Sequence, residues 1–259
     1  MKLHREAHPG EGPFLLLVHG ILSGRSLWQP NLAALARVSQ PVVVELLGHG
    51  RSPSPDDPAL YHPDAYVRAF EEIRAELGAE RWLVCGQSFG AALTLRYAFD
   101  HPERVIAQVF TNSASALADD EWVARMRAAA PALAEHIERG GSAAIERMPM
   151  HPRNARRMPA EHREAVLADA ALVVPSGLAR TLRYGVPQSS VRSRLGENRV
   201  PALLVCGERE LRFQLQREAA VREMPRLEVV GADAGHAVNL EAAEAFDRAA
   251  ADFLRRKAS

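Results

Sequence analysis

The sequence has few cysteines, no long apolar run and no excess of charge of either sign. Its 259 residues include two cysteines, Cys85 and Cys206, and each ends an apolar run, so neither a disulfide framework nor a cysteine-rich metal site is expected. No apolar run approaches the roughly 20 residues of a bilayer span. The 32 basic residues balance 32 acidic residues, which leaves no electrostatic footprint for nucleic acid or for an anionic membrane surface.

Several targeting and cofactor motifs are also missing. The first twelve residues are polar and lack the apolar region and cleavage site of a secretory signal, so we expect a cytoplasmic protein. There is no G-x-x-x-x-G-K-[ST] phosphate loop, no G-x-G-x-x-G motif opening a helix, and no H-E-x-x-H metal motif. We therefore expect neither a cofactor nor a metal, and no nucleic-acid or membrane partner.

Short apolar runs alternate with amphipathic segments along most of the chain. Six runs predict strands that are covered on both faces, at residues 14–18, 41–46, 81–85, 105–110, 201–206 and 227–230. Helical patterns lie between them, at residues 27–37, 64–77, 89–99, 211–222 and 240–255. This alternation predicts an α/β fold in which helices flank a mostly parallel central sheet.

About 85 residues between Asn112 and Arg199 interrupt the alternation and are too many for a loop. They read as short helices, cut at Pro131 and at Gly140-Gly141, and they predict a helical lid over residues 113–199 inserted into a core domain of residues 1–112 and 200–259. Residues 139–198 hold ten arginines and five acidic residues. These arginines could belong to solvated helix faces or form an anion-accepting wall over a cleft.

The pentapeptide Gly86-Gln87-Ser88-Phe89-Gly90 follows a predicted strand and opens a predicted helix. This G-x-S-x-G pattern is typical of a tight strand-to-helix turn that exposes the serine at a helix N-terminus. Ser88 is therefore the predicted nucleophile. Backbone N–H groups of Phe89 and of Ile21, in the loop after the first apolar strand, are expected to hold an oxyanion.

A serine nucleophile needs a base, and the base needs a carboxylate that fixes its tautomer. Among ten histidines, His236 stands between the last strand and the last helix, at the sheet edge that also carries the serine. Glu210 follows the preceding strand and is the predicted acid. Glu208 is the next candidate, and Asp233 and Asp119 are weaker ones.

In these motifs the sequence resembles the compact, lidded branch of the α/β-hydrolase family. The resemblance covers about residues 13–254 and rests on five motifs in the family's order: His19-Gly20, Gly48-His49-Gly50-Arg51-Ser52, Gly86-Gln87-Ser88-Phe89-Gly90, His101-Pro102-Glu103-Arg104-Val105 and Gly235-His236. It implies an eight-stranded sheet with one antiparallel strand, a nucleophile elbow, and a lid after the sixth strand. The short N-terminus implies a reduced N-terminal hairpin, and Glu210 stands where the family commonly has aspartate.

These features predict a serine hydrolase that cleaves a small carboxylic ester, lactone or thioester through a Ser88–His236–Glu210 triad and an acyl-enzyme. An acyltransferase, a C–C bond hydrolase, or a lyase resembling the menaquinone-pathway synthase would use the same residues. Ala237 argues against the C–C hydrolases, which usually carry tryptophan after the histidine. A ligand-binding protein that keeps the fold without turnover is the alternative from another class.

Overall fold

The computed structural model describes residues 1–258 and has a seven-stranded sheet at its centre. The strands are β1 Arg5–Ala7, β2 Phe14–Val18, β3 Gln40–Val44, β4 Trp82–Gly86, β5 Val105–Thr111, β6 Ala202–Gly207 and β7 Leu227–Ala232. Their order across the sheet is β1-β3-β2-β4-β5-β6-β7. Only β1 is antiparallel to its neighbour. The predicted α/β fold with a mostly parallel sheet is confirmed.

All six predicted strands are present, with ends that differ by a few residues. The seventh, β1, has the sequence Arg-Glu-Ala and no buried residue, so its sequence carries no apolar signal. It pairs with β3 at the sheet edge. The eight-stranded sheet implied by the family resemblance is therefore wrong for residues 1–258, since seven strands form it.

Helices cover both faces of the sheet. They are α1 Leu32–Leu35, α2 Pro63–Glu76, α3 Phe89–Asp100, α4 Asp120–Glu146, α5 Ala160–Ala171, α6 Pro175–Arg180, α7 Gln214–Glu223, α8 Val238–Glu241 and α9 Ala243–Ala258. The helix predicted at residues 27–37 is present, but only part of it is α-helical. A 3-10 helix at Arg25–Asn31 contains Pro30, which lacks a backbone N–H, and only the four residues of α1 continue it as α-helix.

Alternate side chains of the central strands enter cores on opposite faces of the sheet. On β2, Leu16 belongs to the core that contains Phe70 of α2, whereas Leu17 belongs to the core that contains Phe246 of α9. All four side chains are fully buried, and burying each stabilises the fold by about 1.5–3 kcal/mol. This double coverage explains why the central strands are apolar throughout rather than alternating.

The segment between β5 and β6 is helical, and we call residues 113–199 the inserted segment. The predicted cut at Pro131 is wrong, because α4 continues through this residue as helix. The predicted cut at Gly140-Gly141 is present, because α4 is kinked at Gly141, whose φ of 55° is readily adopted by glycine. A π-helical turn at Thr181–Gly185 follows α6, and Gly185 packs against the ring of Phe89.

No single helix within residues 1–258 is long and apolar enough to cross a bilayer. Only α5 together with residues 175–188 would meet the criteria of length and composition, and these two parts are bent by 88° where they join.

Candidate active site

Ser88 lies at a sharp turn between the end of β4 and the start of α3. Its φ of 54° and ψ of −120° are rare for a residue with a side chain, and such strain costs about 1–3 kcal/mol. The turn needs small neighbours, because a Cβ on Gly86 would lie 2.5 Å from the carbonyl oxygen of Gly90. The sequence motif thus forms the expected elbow.

The loop after β2 packs directly against this elbow. A Cβ on Gly20 would lie 2.8 Å from Cβ of Ser88, so glycine allows the two backbones to approach. The N–H groups of Ile21 and Phe89 have no acceptor within residues 1–258, whereas the N–H of Leu22 donates to His49. The two predicted oxyanion donors are therefore unpaired at the elbow and at the loop beside it.

His236 and Glu210 meet at the carboxyl edge of the sheet. Nδ1 of His236 lies 3.0 Å from Oε2 and 3.1 Å from Oε1 of Glu210. Burial alone would raise the pKa of Glu210, but its hydrogen bonds with His236 and Asn112 outweigh burial and lower the pKa below its ordinary value. Glu210 is therefore ionised at neutral pH and can hold a proton on Nδ1.

Asn112, directly after β5, is a site residue that the sequence reasoning missed. Its Nδ2 donates to Oε2 of Glu210 at 2.8 Å and to the carbonyl of Gly207 at 3.0 Å, and its Oδ1 accepts from the Gly207 N–H at 2.9 Å. The side chain is fully buried and ties the end of β5 to the end of β6. A polar residue immediately after a buried strand was the signal that could have identified it.

The alternative acids do not reach the histidine. Glu208 is exposed and lies 4.0 Å from Arg217, and Asp233 pairs with Arg157 and Arg209 at the surface. Asp119 caps the N-terminus of α4 by accepting from the Trp122 N–H at 2.8 Å. Of the four candidates, only Glu210 contacts His236.

The loop that carries His236 is held from three sides. A Cβ on Gly207 would lie 2.8 Å from the carbonyl of Ala234, so glycine lets the loop cross the end of β6. Nε2 of Gln87 donates to the carbonyl of His236 at 3.4 Å. Glu241 accepts from the N–H groups of Gly235 and Ala237 at 2.6 and 3.3 Å. These contacts fix the position of the imidazole relative to the elbow.

Two buried histidines hold the loops around the oxyanion donors. Nε2 of His19 accepts from the Leu46 N–H at 3.0 Å, and Nε2 of His49 accepts from the Leu22 N–H at 3.3 Å. Burial lowers the pKa of His19 to about 3 and that of His49 to about 4, so both are neutral acceptors at pH 7. Both side chains therefore hold the loops in place.

Ser88 and His236 line one cavity of about 330 Å³ between the sheet edge and the inserted segment. Its walls are mainly apolar: Ile21, Leu22, Leu27, Pro149, Met150, Pro152, Ala155, Met158, Val166, Ala237 and Leu240. Within residues 1–258, the Ser88 hydroxyl makes no hydrogen bond with His236 or with another group. The described part of the chain also holds no cluster of three or more His, Cys, Asp or Glu side chains suited to a metal ion.

The arginines of the inserted segment lie outside this cavity. No arginine or lysine of the described residues lines the cavity. Six of the ten arginines at residues 139–198 form ion pairs with carboxylates: Arg139 with Glu135, Arg153 with Glu146, Arg157 with Asp233 and Glu241, Arg180 with Asp56, Arg192 with Glu223, and Arg194 with Asp100. The arrangement fits solvated helix faces and does not form an anion-accepting wall.

Comparisons with known proteins agree with this architecture. A family model described as the alpha/beta hydrolase fold matches residues 13–243. A Bacillus subtilis (strain 168) protein, provisionally named 2-succinyl-6-hydroxy-2,4-cyclohexadiene-1-carboxylate synthase, is 28% identical over 96% of this chain and 94% of its own.

Two solved structures share the fold over nearly their full length. MenH from S. aureus superposes with a TM-score of 0.87 at 19% identity, covering 99% of both chains. The enol-lactonase from Burkholderia xenovorans LB400 superposes with a TM-score of 0.80 at 22% identity, covering 97% of this chain and 96% of that one. The match of the family model over most of the sequence shows that the chain belongs to the α/β-hydrolase fold family.

Proposed function

We propose that the protein is a serine hydrolase that cleaves a small, uncharged carboxylic ester, lactone or thioester. The observation that carries the proposal is that Ser88, on a strained elbow, and His236, hydrogen-bonded to Glu210, line one apolar cavity. A protein that only bound a ligand would have no need for an exposed serine, a base and a carboxylate at the same sheet edge.

His236 acts as the general base in this mechanism. Glu210 keeps the proton on Nδ1, which leaves the lone pair of Nε2 free to take the proton of Ser88. Because the two residues are not hydrogen-bonded without substrate, Ser88 Oγ and His236 Nε2 must approach to about 2.6–3.2 Å in the reactive complex. Ser88 Oγ then attacks the carbonyl carbon.

The oxyanion that forms is held by the N–H groups of Ile21 and Phe89. Phe89 also opens α3, so the positive end of the helix dipole favours the developing charge. His236 passes its proton to the leaving oxygen or sulfur, and the alcohol or thiol departs from the acyl-enzyme. A water molecule, deprotonated by His236, then releases the carboxylic acid and regenerates Ser88.

The cavity supports a small, neutral substrate. Its volume of about 330 Å³ is at the lower end of the range for small-molecule sites. Burying a charged substrate group against apolar walls without a cationic partner would carry a large desolvation cost. We extend the proposal to the domain organisation: residues 113–199 form a lid over a core of residues 1–112 and 200–259.

The proposal is tested by the hydrolysis of p-nitrophenyl butyrate by the wild type and by Ser88→Ala. We expect measurable turnover by the wild type and less than a tenth of that rate in the variant, because the nucleophile is removed. A rate above one tenth in a correctly folded Ser88→Ala would refute the nucleophile assignment. Lack of turnover by the wild type on an ester, lactone and thioester panel would favour a binding protein.

The full-length similarity to the B. subtilis protein supports one second candidate, a lyase on the same residues. The named product of that protein is a carboxylate, and the present cavity has no arginine or lysine among its described lining residues. The direct test is whether the purified protein forms that product from its biosynthetic precursor. Ser88-dependent formation of the product at a higher kcat/KM than for any ester would establish the lyase instead.

A further inference from the structure

One polar side chain stands out in the part of the cavity wall that the inserted segment contributes. His151 is only 7% exposed. It lines the cavity that holds Ser88 and also a neighbouring cavity of about 270 Å³ bounded by Glu146 and Val173. Its imidazole therefore borders both cavities.

The tautomer of His151 follows from its backbone contacts. Nδ1 accepts from the N–H of Arg153 at 3.2 Å and so caps the short 3-10 helix Pro152–Asn154. Burial, reinforced by the nearby Arg153, lowers the pKa of His151, so the ring is neutral at pH 7. Because Nδ1 is the acceptor, the proton is on Nε2.

This Nε2–H has no acceptor within residues 1–258. It is therefore free to donate to an acceptor on a molecule in the cavity. The other side chain of this wall with an N–H donor is that of Asn154. Its Nδ2 already donates to the carbonyls of Met148 and Pro149 at 3.2 and 3.4 Å. The surrounding wall residues Pro149, Met150 and Met158 offer no donor.

We propose that His151 is a specificity-determining residue whose Nε2–H binds an acceptor oxygen of the substrate several bonds away from the reacting carbonyl. The inference rests on the proposed hydrolase function and narrows its substrate class to esters or lactones that carry a ketone, amide or hydroxyl oxygen. That oxygen can lie in the acyl part or in the alcohol part of the substrate, and the test below separates the two.

Two substitutions separate the donor from the helix cap. In His151→Asn, the amide oxygen can still cap the N–H of Arg153, but no donor extends to the position of Nε2. In His151→Gln, the longer side chain restores an N–H near that position. His136→Gln, on an exposed part of α4, is the matched control for a histidine of the inserted segment that lines no described cavity.

The substrates are pairs that differ by one ketone. The acyl series compares p-nitrophenyl 4-oxopentanoate, 5-oxohexanoate and 6-oxoheptanoate with the unsubstituted esters of equal chain length. The alcohol series compares 4-oxopentyl acetate with pentyl acetate, followed by a pH indicator. Within each pair we measure the ratio of kcat/KM for the ketone to kcat/KM for the plain ester, so the intrinsic reactivity of each ester cancels between variants.

For a pair in one of the two series, we expect the ratio to fall about fivefold in His151→Asn, as for a neutral hydrogen bond worth about 1 kcal/mol. It should recover to within twofold in His151→Gln and stay unchanged in His136→Gln. If hydrolysis depends on Ser88 but the ratios are the same in the wild type and in His151→Asn, the proposed role of His151 is refuted and the hydrolase function is not. Loss of hydrolysis of the plain esters in His151→Asn would also refute it, because the role would then be structural. Lack of Ser88-dependent hydrolysis in the wild type would refute the hydrolase function and this inference with it.

Discussion

Replacement of Glu210 by glutamine tests the proposed acid while changing little in shape. In the native site, Oε2 accepts from Nδ2 of Asn112 at 2.8 Å, and both carboxylate oxygens lie within 3.1 Å of Nδ1 of His236. Because Asn112 can only donate from this nitrogen, it holds the glutamine oxygen at the Oε2 position. The amide NH2 must then occupy the Oε1 position beside Nδ1.

That orientation works against the reactive tautomer. An amide NH2 about 3.1 Å from Nδ1 can donate to an unprotonated Nδ1, and this bond competes with the one from Nδ1–H to the glutamine oxygen at 3.0 Å. When the amide donates, the imidazole proton is on Nε2, which then cannot accept the proton of Ser88. The substitution also removes the negative charge that stabilises the imidazolium. Together these effects predict a loss of about 10³- to 10⁴-fold in kcat, which corresponds to about 4–5 kcal/mol of transition-state stabilisation.

The assay is hydrolysis of p-nitrophenyl butyrate under saturating and limiting substrate, with thermal unfolding as the check on the fold. Glu208→Gln is the matched control, because Glu208 is exposed and makes no contact with His236; its rate should stay within twofold of the wild type. A Glu210→Gln variant with more than a tenth of the wild-type kcat would refute the proposed acid. The reverse ranking of the two variants would transfer the role to Glu208.

Two further predictions concern the loops around the oxyanion donors. Since His19 and His49 are neutral in the fold but protonate near pH 6.5 when unfolded, the unfolded state binds more protons below that pH. In urea unfolding, the free energy of unfolding should therefore fall by up to about 4 kcal/mol as the pH is lowered from 7 to 5, because of these two histidines. About half of this pH dependence should vanish in His49→Gln. An unchanged pH dependence in the variant would contradict the prediction that both histidines are neutral in the folded protein. Gly20→Ala should lower kcat about a hundredfold, because its Cβ would lie 2.8 Å from Cβ of Ser88 and would displace the nucleophile. Gly78→Ala is the control, because no atom lies within 4 Å of its Cβ position although its φ is +67°. It should cost about 1–2 kcal/mol of stability and leave kcat unchanged. Equal losses of activity in the two variants would contradict the explanation that the Cβ at residue 20 displaces Ser88.

Much of the core could be predicted from the sequence because buried parallel strands are continuous apolar runs. The same reasoning brought Ser88, Glu210 and His236 to one sheet edge, since residues that follow parallel strands meet there. It ranked Glu210 above Glu208 without a geometric reason, because the turn after β6 decides which of the two side chains faces the histidine loop. In the structure, the hydrogen bond from Asn112 to Glu210 holds Glu210 on the side of the histidine loop.

Other features could not be predicted from the sequence, because tertiary contacts override the local sequence pattern. The strand β1 has no apolar signal and forms only because the edge of β3 is available for pairing. Of the two predicted cuts in α4, Pro131 does not end the helix, whereas Gly141 breaks it. The direction of the arginines in the inserted segment depends on acidic partners such as Asp56, Asp100 and Asp233, far away in sequence, and composition alone carries no such information.

The most direct test of the account is covalent labelling of the nucleophile. Intact-mass measurement after treatment with a fluorophosphonate should show one phosphonyl group added to the wild type, located by peptide mapping to the peptide containing Ser88, and none added to Ser88→Ala. Labelling at a different residue, or equal labelling of Ser88→Ala, would contradict the claim that His236 and Glu210 make the Ser88 hydroxyl reactive.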